Sequence, residues 1–289
     1  MSKQQPSRPG VRSLARWGIE RLPFNLLYEV FYQSGRVLGV KSYEVSGSAG
    51  NFIGPFNDQS VIKQYLRSGQ LSPVIVKLFQ DFFDARGGGT FYDLGANIGM
   101  VVVPVARNTN VSCVCFEPDP VNFALLRANV LLNAAGPNIE IINAAVAREP
   151  GQLRFAQSGY NCGDHRLSED GSLVVQAVRL DDYTPKVLPL AVKIDCQGAE
   201  PLIVAGGMQT LAKADLIVCE FWPWGMRRMG LSPEPVLEFA AGHFPLAQVL
   251  YHDQPPGKPL PVAEALRTLR MLIDDGGEMA QADLVLTRE

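Results

Sequence analysis

Asp93, Gly95, Asn97 and Gly99 fall within one short stretch, TFYDLGANIGM, where an apolar strand-like run ends on a carboxylate and turns through two glycines into a helix-like segment. In an open α/β sheet the ligand lies outside the carboxyl ends of the strands, so the first strand-to-helix turn is the place to look for one. A dinucleotide would require G-x-G-x-x-G, because its pyrophosphate approaches the backbone at the helix N-terminus. Here the middle glycine is Asn97. The acid at the strand end, Asp93, repels a pyrophosphate and attracts a ligand with an ammonium or sulfonium group. S-adenosyl-L-methionine is such a ligand, and it carries no phosphate.

The next candidate is Glu117, which ends a second apolar run in VSCVCFEPDP, 22 residues after Gly95. At that distance an acidic side chain can accept from both hydroxyls of a ribose. Asp119, just before Pro120, reads instead as a helix N-terminal charge.

Methyl transfer from a sulfonium asks for positioning and desolvation, because the leaving group is already activated. An alcohol acceptor is the weak partner. A base that takes its proton is worth roughly 10²- to 10⁴-fold. The candidate catalytic residues are Asp195 and Glu220, predicted to end adjacent strands, and His165, in the polar loop SGYNCGDHRLSEDGS. His243 and His252 flank the sixth predicted strand and read as structural, and Glu200, one turn into a helix, as a capping partner. Asp195 and Glu220 could also hold Mg²⁺ and polarise the hydroxyl, although no clustered carboxylate spacing demands a metal.

The stretch FWPWGMRRMG sets Trp222 and Trp224 about a proline, on a predicted loop. Their faces match the apolar faces of sugar rings, or they plug the core. Tyr160, in the polar loop, and Gln197 complete the candidate substrate contacts. Arg227 and Arg228 could meet an anionic substrate or merely solvate the loop.

The elements that must position these residues alternate strand and helix after Gly89, which implies a mostly parallel sheet with helices on both faces. Strands are predicted at 90–94, 111–116, 139–143, 190–195, 215–220, 245–251 and 283–287, and helices at 98–107, 120–133, 199–212, 233–241 and 262–273. Gln152 to Ala156 and Leu173 to Leu180 read as an antiparallel pair flanking the polar loop. Ahead of them, residues 11–40 read as two short helices broken at Pro23, with Trp17, Ile19 and Leu22 among their apolar residues. Ser42 to Asn57 reads as loop or hairpin, and a helix runs from Ser72-Pro73 to Gly87. The expected organisation is an N-terminal helical extension or lid over 1–88 and one catalytic domain over 89–289.

Composition sets the outer bounds. The 289 residues are 47% hydrophobic and 19% charged, with a formal net charge of -3, so nothing in that balance calls for nucleic acid or a membrane. No apolar run approaches the roughly 20 residues of a membrane span. Five cysteines without C-x-x-C spacing fit a reducing cytoplasm.

The ordered motifs YDLGANIGM, CFEPDPVNFALLRANV, NAAVAREPGQLRF, VRLDDY and VKIDCQGAEPLIVAGG resemble the FkbM family of S-adenosylmethionine-dependent methyltransferases. The resemblance implies a Rossmann-like class I α/β fold, with a seven-stranded, mostly parallel sheet whose last strand is antiparallel. It also implies O-methylation of a hydroxyl on a sugar, glycan or glycosylated metabolite. By that resemblance Asp93, Gly95, Ala96, Asn97 and Gly99 surround the methionine end of the cofactor and Glu117 the ribose. Pro118, Asn143 and Ala144 lie by the adenine, and Asp195 under the transferring methyl group. One position departs from the family pattern: Gln197 stands where the family usually has an acid. An NAD-dependent oxidoreductase on a similar sheet and a cofactor-binding scaffold without turnover are the alternatives.

Overall fold

A computed structural model describes residues 23–135, 138–251 and 257–289. Trp17, Ile19, Leu22 and His252, with the first of the two predicted N-terminal helices, lie outside the described residues.

The main sheet is built from β3 (Gly89–Leu94), β4 (Val111–Phe116), β5 (Ile139–Ile142), β10 (Leu190–Ile194), β11 (Leu216–Phe221), β12 (Leu246–Leu250), β13 (Leu260–Pro261) and β14 (Ala282–Thr287). Its order is β13-β12-β14-β11-β10-β3-β4-β5. β14 runs antiparallel to both β11 and β12, while β5, β4, β3, β10 and β11 run parallel. The sheet therefore has eight strands where seven are expected, the addition being the two-residue β13 on the β12 edge.

Side chains alternate across these strands, and the alternation divides the core in two. Phe91, Cys113, Cys115, Ala191 and Val218 join one cluster, with Phe79 and Phe83 of α3 (Pro73–Arg86) and Leu126 of α5 (Pro120–Leu132). Tyr92, Leu94, Val114, Val192 and Ile194 join the other, under α6 (Glu200–Leu211), α8 (Glu234–His243) and α9 (Val262–Asp275). Strands with two covered faces need apolar residues on both, which is why they read as continuous hydrophobic runs.

The chain before β3 shares the first cluster. α1 (Phe24–Val37) begins directly after Pro23, and a hairpin follows of β1 (Ser42–Gly47) and β2 (Gly50–Pro55). α2 (Val61–Ser68), which the sequence reading does not anticipate, buries Val61, Ile62 and Tyr65 and ends on Gly69 in the left-handed region. β2 is seated on α5 by two asparagines one helical turn apart. Asn129 Oδ1 accepts from Ile53 N at 2.7 Å and its Nδ2 donates to Ile53 O at 3.0 Å; Asn133 exchanges the same pair of bonds with Asn51 at 2.9 and 2.6 Å. Four residues of helix rise about 6 Å and two of strand about 6.6 Å, so the two repeats stay in step.

The predicted helix over 98–107 contracts to α4 (Val102–Val105). Asn97 at φ 52 and Gly99 at φ 93 hold the preceding residues in turns. The predicted antiparallel pair is present as β7 (Gly151–Ala156) and β9 (Leu173–Val178), which join β6 (Ala145–Val146) and β8 (Arg166–Leu167) in a four-stranded sheet of order β6-β9-β7-β8.

Candidate active site

A cleft of about 450 Å³ opens at the carboxyl ends of β3, β4, β10 and β11. Gly95, Ala96, Asn97, Glu117, Pro118, Tyr160, His165, Asp195, Gln197, Glu220 and Trp222 line it; Asp93, Gly99, Asn143, Ala144 and Trp224 are not part of that lining. Ser60, Val61, Leu71 and Ser72 add a side of the cleft from the N-terminal segment.

The β3 turn is shaped by steric need. Gly95 has φ 83, and a Cβ there would collide with the Asp195 carbonyl, so only glycine lets the turn pass over the β10 end. Asn97 takes the left-handed conformation that asparagine tolerates better than most residues. Its N–H donates to Glu117 Oε2 at 2.8 Å, and Asp119 N donates to Oε1 at 2.9 Å. Each Glu117 oxygen keeps accepting capacity beyond these bonds. Burial pushes the Glu117 carboxyl up to about 8 despite the two backbone donors.

Asp93 lies directly opposite Lys193 in the parallel β3–β10 pair, and Asp195 is two residues beyond Lys193, so all three side chains share one face. Lys193 Nζ is 3.4 Å from Asp93 Oδ1, 3.3 Å from Asp195 Oδ2 and 3.4 Å from Gly95 O. Burial pulls the ammonium down, but Asp195 and Asp93 outweigh it and hold Lys193 charged above its ordinary range. Asp93 is fully buried and raised by that burial against the pull of Lys193. Its charge is thus answered within the protein. Lys193 offsets part of the attraction Asp93 would offer a cationic ligand, while the Asp195 side chain keeps an exposed face. Sequence reasoning left Lys193 out, although its place two residues before Asp195 on a strand was the available signal.

Asp195 and Glu220 are joined by one amide. Gln197 Nε2 donates to Asp195 Oδ1 and to Glu220 Oε2, each at 3.0 Å. Glu220 is raised well above the carboxylate range, first by burial and then by Asp195, Glu200 and Asp283. Glu200 is buried, and its Oε1 accepts from Cys196 N at 3.0 Å and Gly198 N at 3.3 Å, which makes it the cap of this loop. Among the described residues no group of three or more His, Cys, Asp or Glu is placed to hold a metal ion.

His165 is drawn elsewhere. Its Nδ1 lies 3.6 Å from Asp119 Oδ2, and Asp119 caps α5 through Val121 N and Asn122 N. Asp119 follows β4, whereas Glu220 belongs to β11. Three strand spacings of about 4.8 Å, on the order of 14 Å, separate those strands. Asp58, a further residue sequence reasoning missed, accepts from Ser60 N, Ile62 N and Cys162 N at 3.1, 2.8 and 2.7 Å and ties α2 to the polar loop. Asn143 Nδ2 donates to Glu117 O at 2.8 Å and Pro118 O at 3.1 Å, fastening the β5 end to the β4 end.

The segment predicted as a loop after β11 folds as α7 (Pro223–Arg228), with proline at its first turn. Trp222 is 7% exposed and donates Nε1–H to Glu278 O at 2.7 Å. Gly198, at φ 106, meets the backbone of Gly225 and Met226 so closely that a Cβ would lie 2.6 Å from Gly225, which seats α7 on the Asp195 loop.

A doubly wound sheet with the antiparallel β14 between β11 and β12, and a cleft at its carboxyl edge, is the Rossmann-like class I methyltransferase fold. A family model described as the methyltransferase FkbM domain matches residues 93–239. The chain belongs to that family, which sets aside the oxidoreductase reading. It is 30% identical over 132 residues to the 2-O-methyltransferase NoeI of Sinorhizobium fredii, a match covering 37% of this chain and 52% of that protein. The chain thus spans about half the length of the curated relative it matches. Similar solved structures include precorrin-6y C5,15-methyltransferase from Geobacter metallireducens (TM-score 0.40, 11% identity, 76% of this chain and 93% of that one). A human methyltransferase 10 domain containing protein is another (TM-score 0.38, 10% identity, 76% and 84%).

Proposed function

We propose that the protein is an S-adenosyl-L-methionine-dependent O-methyltransferase whose acceptor is a hydroxyl of a sugar, glycan or glycosylated metabolite, leaving S-adenosyl-L-homocysteine as product. The carrying observation is Glu117. Its carboxyl lines the cleft, holds the β3 turn through Asn97 N and keeps acceptor capacity for two ribose hydroxyls. Around it the cleft lacks the middle glycine of a pyrophosphate cradle and is rimmed by acids, which fits a cofactor that is cationic and carries no phosphate.

The bound cofactor supplies an electrophilic methyl group on a sulfonium that is already a good leaving group. The chain supplies the rest. The backbone of Gly95, Ala96 and Asn97 walls the methionine end, Glu117 orients the ribose, and Pro118 with Ala145 and Val146 borders the adenine. Asp195, held by Lys193 and Gln197, positions the acceptor hydroxyl, and Glu220 takes its proton: a carboxyl raised by burial sits closer to an alcohol's demand than an ordinary one. His165, anchored on Asp119, steadies the polar loop over the adenosine side rather than serving as the base. Tyr160, 66% exposed, offers an aromatic face to a sugar ring, with the cleft-lining part of Trp222 as a further contact, and the printed name of the curated relative, a 2-O-methyltransferase, supports transfer to oxygen. No step calls for Mg²⁺.

In this reading residues 89–289 form the transfer domain and the preceding segment closes the cleft as a lid. A reducing cytoplasm fits the five free cysteines, and among the described residues no helix is long and apolar enough to cross a membrane.

Parallel calorimetric titrations with S-adenosyl-L-homocysteine, S-adenosyl-L-methionine and NAD test the proposal. Binding of the first two without NAD is the expected result, followed by methyl transfer to sugar hydroxyls. Binding of NAD alone, or of none of the three, would overturn it.

A further inference from the structure

Arg227 and Arg228, adjacent in sequence, have separate fates. Arg227 is exposed and donates Nη2–H to Ile273 O at 2.8 Å, an ordinary surface bond. Arg228 turns into the cleft wall. Its guanidinium carbon lies 4.8 Å from the Trp222 ring centre and 4.6 Å from that of Trp224, and the two indoles are 5.3 Å apart. Its Nε and Nη2 are buried and make no hydrogen bond. The nearest carboxylate oxygen, Asp164 Oδ1, is 3.9 Å from Nη2, and Arg166 Nη1 engages the same carboxylate at 3.3 Å. Glu278, the other acid at this end of the cleft, makes no ion pair with Arg228 within 4 Å, although it lies near enough to favour the charged form.

A partly buried guanidinium whose Nε and Nη2 are shut off from water without partners is costly unless something completes it. Burial, and then Arg166, pull Arg228 below its ordinary range. The two indoles fix the plane of the fork, so little rotamer freedom remains to be lost when a planar anion docks. The position is also specific. α7 is seated on the Asp195–Gly198 loop, which the proposed function places at the acceptor end, and the fork spans from there to Asp164 of the polar loop.

We infer that Arg228, backed by Trp222 and Trp224, is an oxyanion-reading residue, and that the acceptor is a saccharide carrying a phosphate or carboxylate group. This rests on the methyltransferase reading of the same cleft and narrows its substrate class. Trp224, which does not line the cleft, then serves as backing for the fork and not as a sugar contact. Asp164 holds the guanidinium loosely while no acceptor is bound and gives way to a better-placed anion.

The test is a calorimetric titration with glucose 6-phosphate, glucuronate and methyl glucoside, run with and without S-adenosyl-L-homocysteine. At least one charged sugar is expected to bind about tenfold or more tightly than methyl glucoside. Which of the two it is separates a phosphate acceptor from a uronate. Arg228→Gln should remove that preference while S-adenosyl-L-homocysteine binding persists. Asp164→Asn, which takes away the competing carboxylate, should tighten the charged sugar severalfold. Absence of binding by either charged sugar, equal affinity for the neutral sugar, or a preference that survives Arg228→Gln would overturn the inference. Failure of S-adenosyl-L-homocysteine to bind would instead overturn the methyltransferase reading, since the sugars are also titrated without it.

Discussion

Gln197 donates an amide hydrogen to Glu220 Oε2 at 3.0 Å and reaches Asp195 Oδ1 with the same nitrogen. A donor to the ionised form lowers a carboxyl's proton affinity, so this amide restrains the rise that burial imposes on Glu220. Gln197→Ala should therefore raise Glu220 further. A base works only when ionised, so the rate should climb with pH, and should do so at a higher pH in the variant. A pH–rate profile with an unmoved acid limb would show that Glu220 is not the base.

Glu220→Gln tests the same assignment directly. Turnover should fall by roughly 10²- to 10⁴-fold, the usual worth of a positioned base, while affinity for S-adenosyl-L-homocysteine stays unchanged. Single-turnover kinetics beside calorimetry would separate the two effects.

Glu117 predicts a proton-coupled cofactor. Its folded carboxyl is raised from 4.5 to about 8, so the unfolded chain ionises first. Stability without ligand should fall as pH rises through that window and level off above it. Ribose hydroxyls favour the ionised carboxylate, so binding at neutral pH should release a proton and affinity should grow with pH up to about 8. Calorimetry in buffers of different ionisation enthalpy reads the release. Glu117→Gln should abolish it and weaken binding by about 1.5–3 kcal/mol per lost charged hydrogen bond.

Gly95→Ala should harm both folding and binding. The residue sits at φ 83 where an added Cβ would collide with the Asp195 carbonyl, and a left-handed alanine alone costs about 1–2 kcal/mol. A lowered Tm with undetectable S-adenosyl-L-homocysteine binding is expected; an alanine variant that binds normally would mean that the turn does not touch the cofactor.

Much of this was legible in the sequence for a physical reason. Strands covered on both faces must be apolar throughout, and helices such as α6 and α9 interpose at regular intervals, so each predicted strand from β3 to β14 falls within about a residue of its place. What the sequence hid was pairing across distance. Lys193 reads as a stray charge in a buried strand until β3 is laid beside β10, and only then does it stand between Asp93 and Asp195. His165 looked free to act because nothing local reveals Asp119 beside it. α7 reads as loop because its aromatic and arginine residues follow no helical stripe; its signal is Pro223 at a first-turn position. α2 was missed even though Gly69 marks its end.

Asn129 and Asn133 present α5 to β2 as a counterfeit strand, satisfying N–H and C=O groups at alternate residues that would otherwise face outward. An unguarded hairpin edge invites strand addition from another chain and, from there, aggregation. Here the outward groups of Asn51 and Ile53 are already taken by two side chains, so what guards this edge of the hairpin lies on the helix end and not in the hairpin itself.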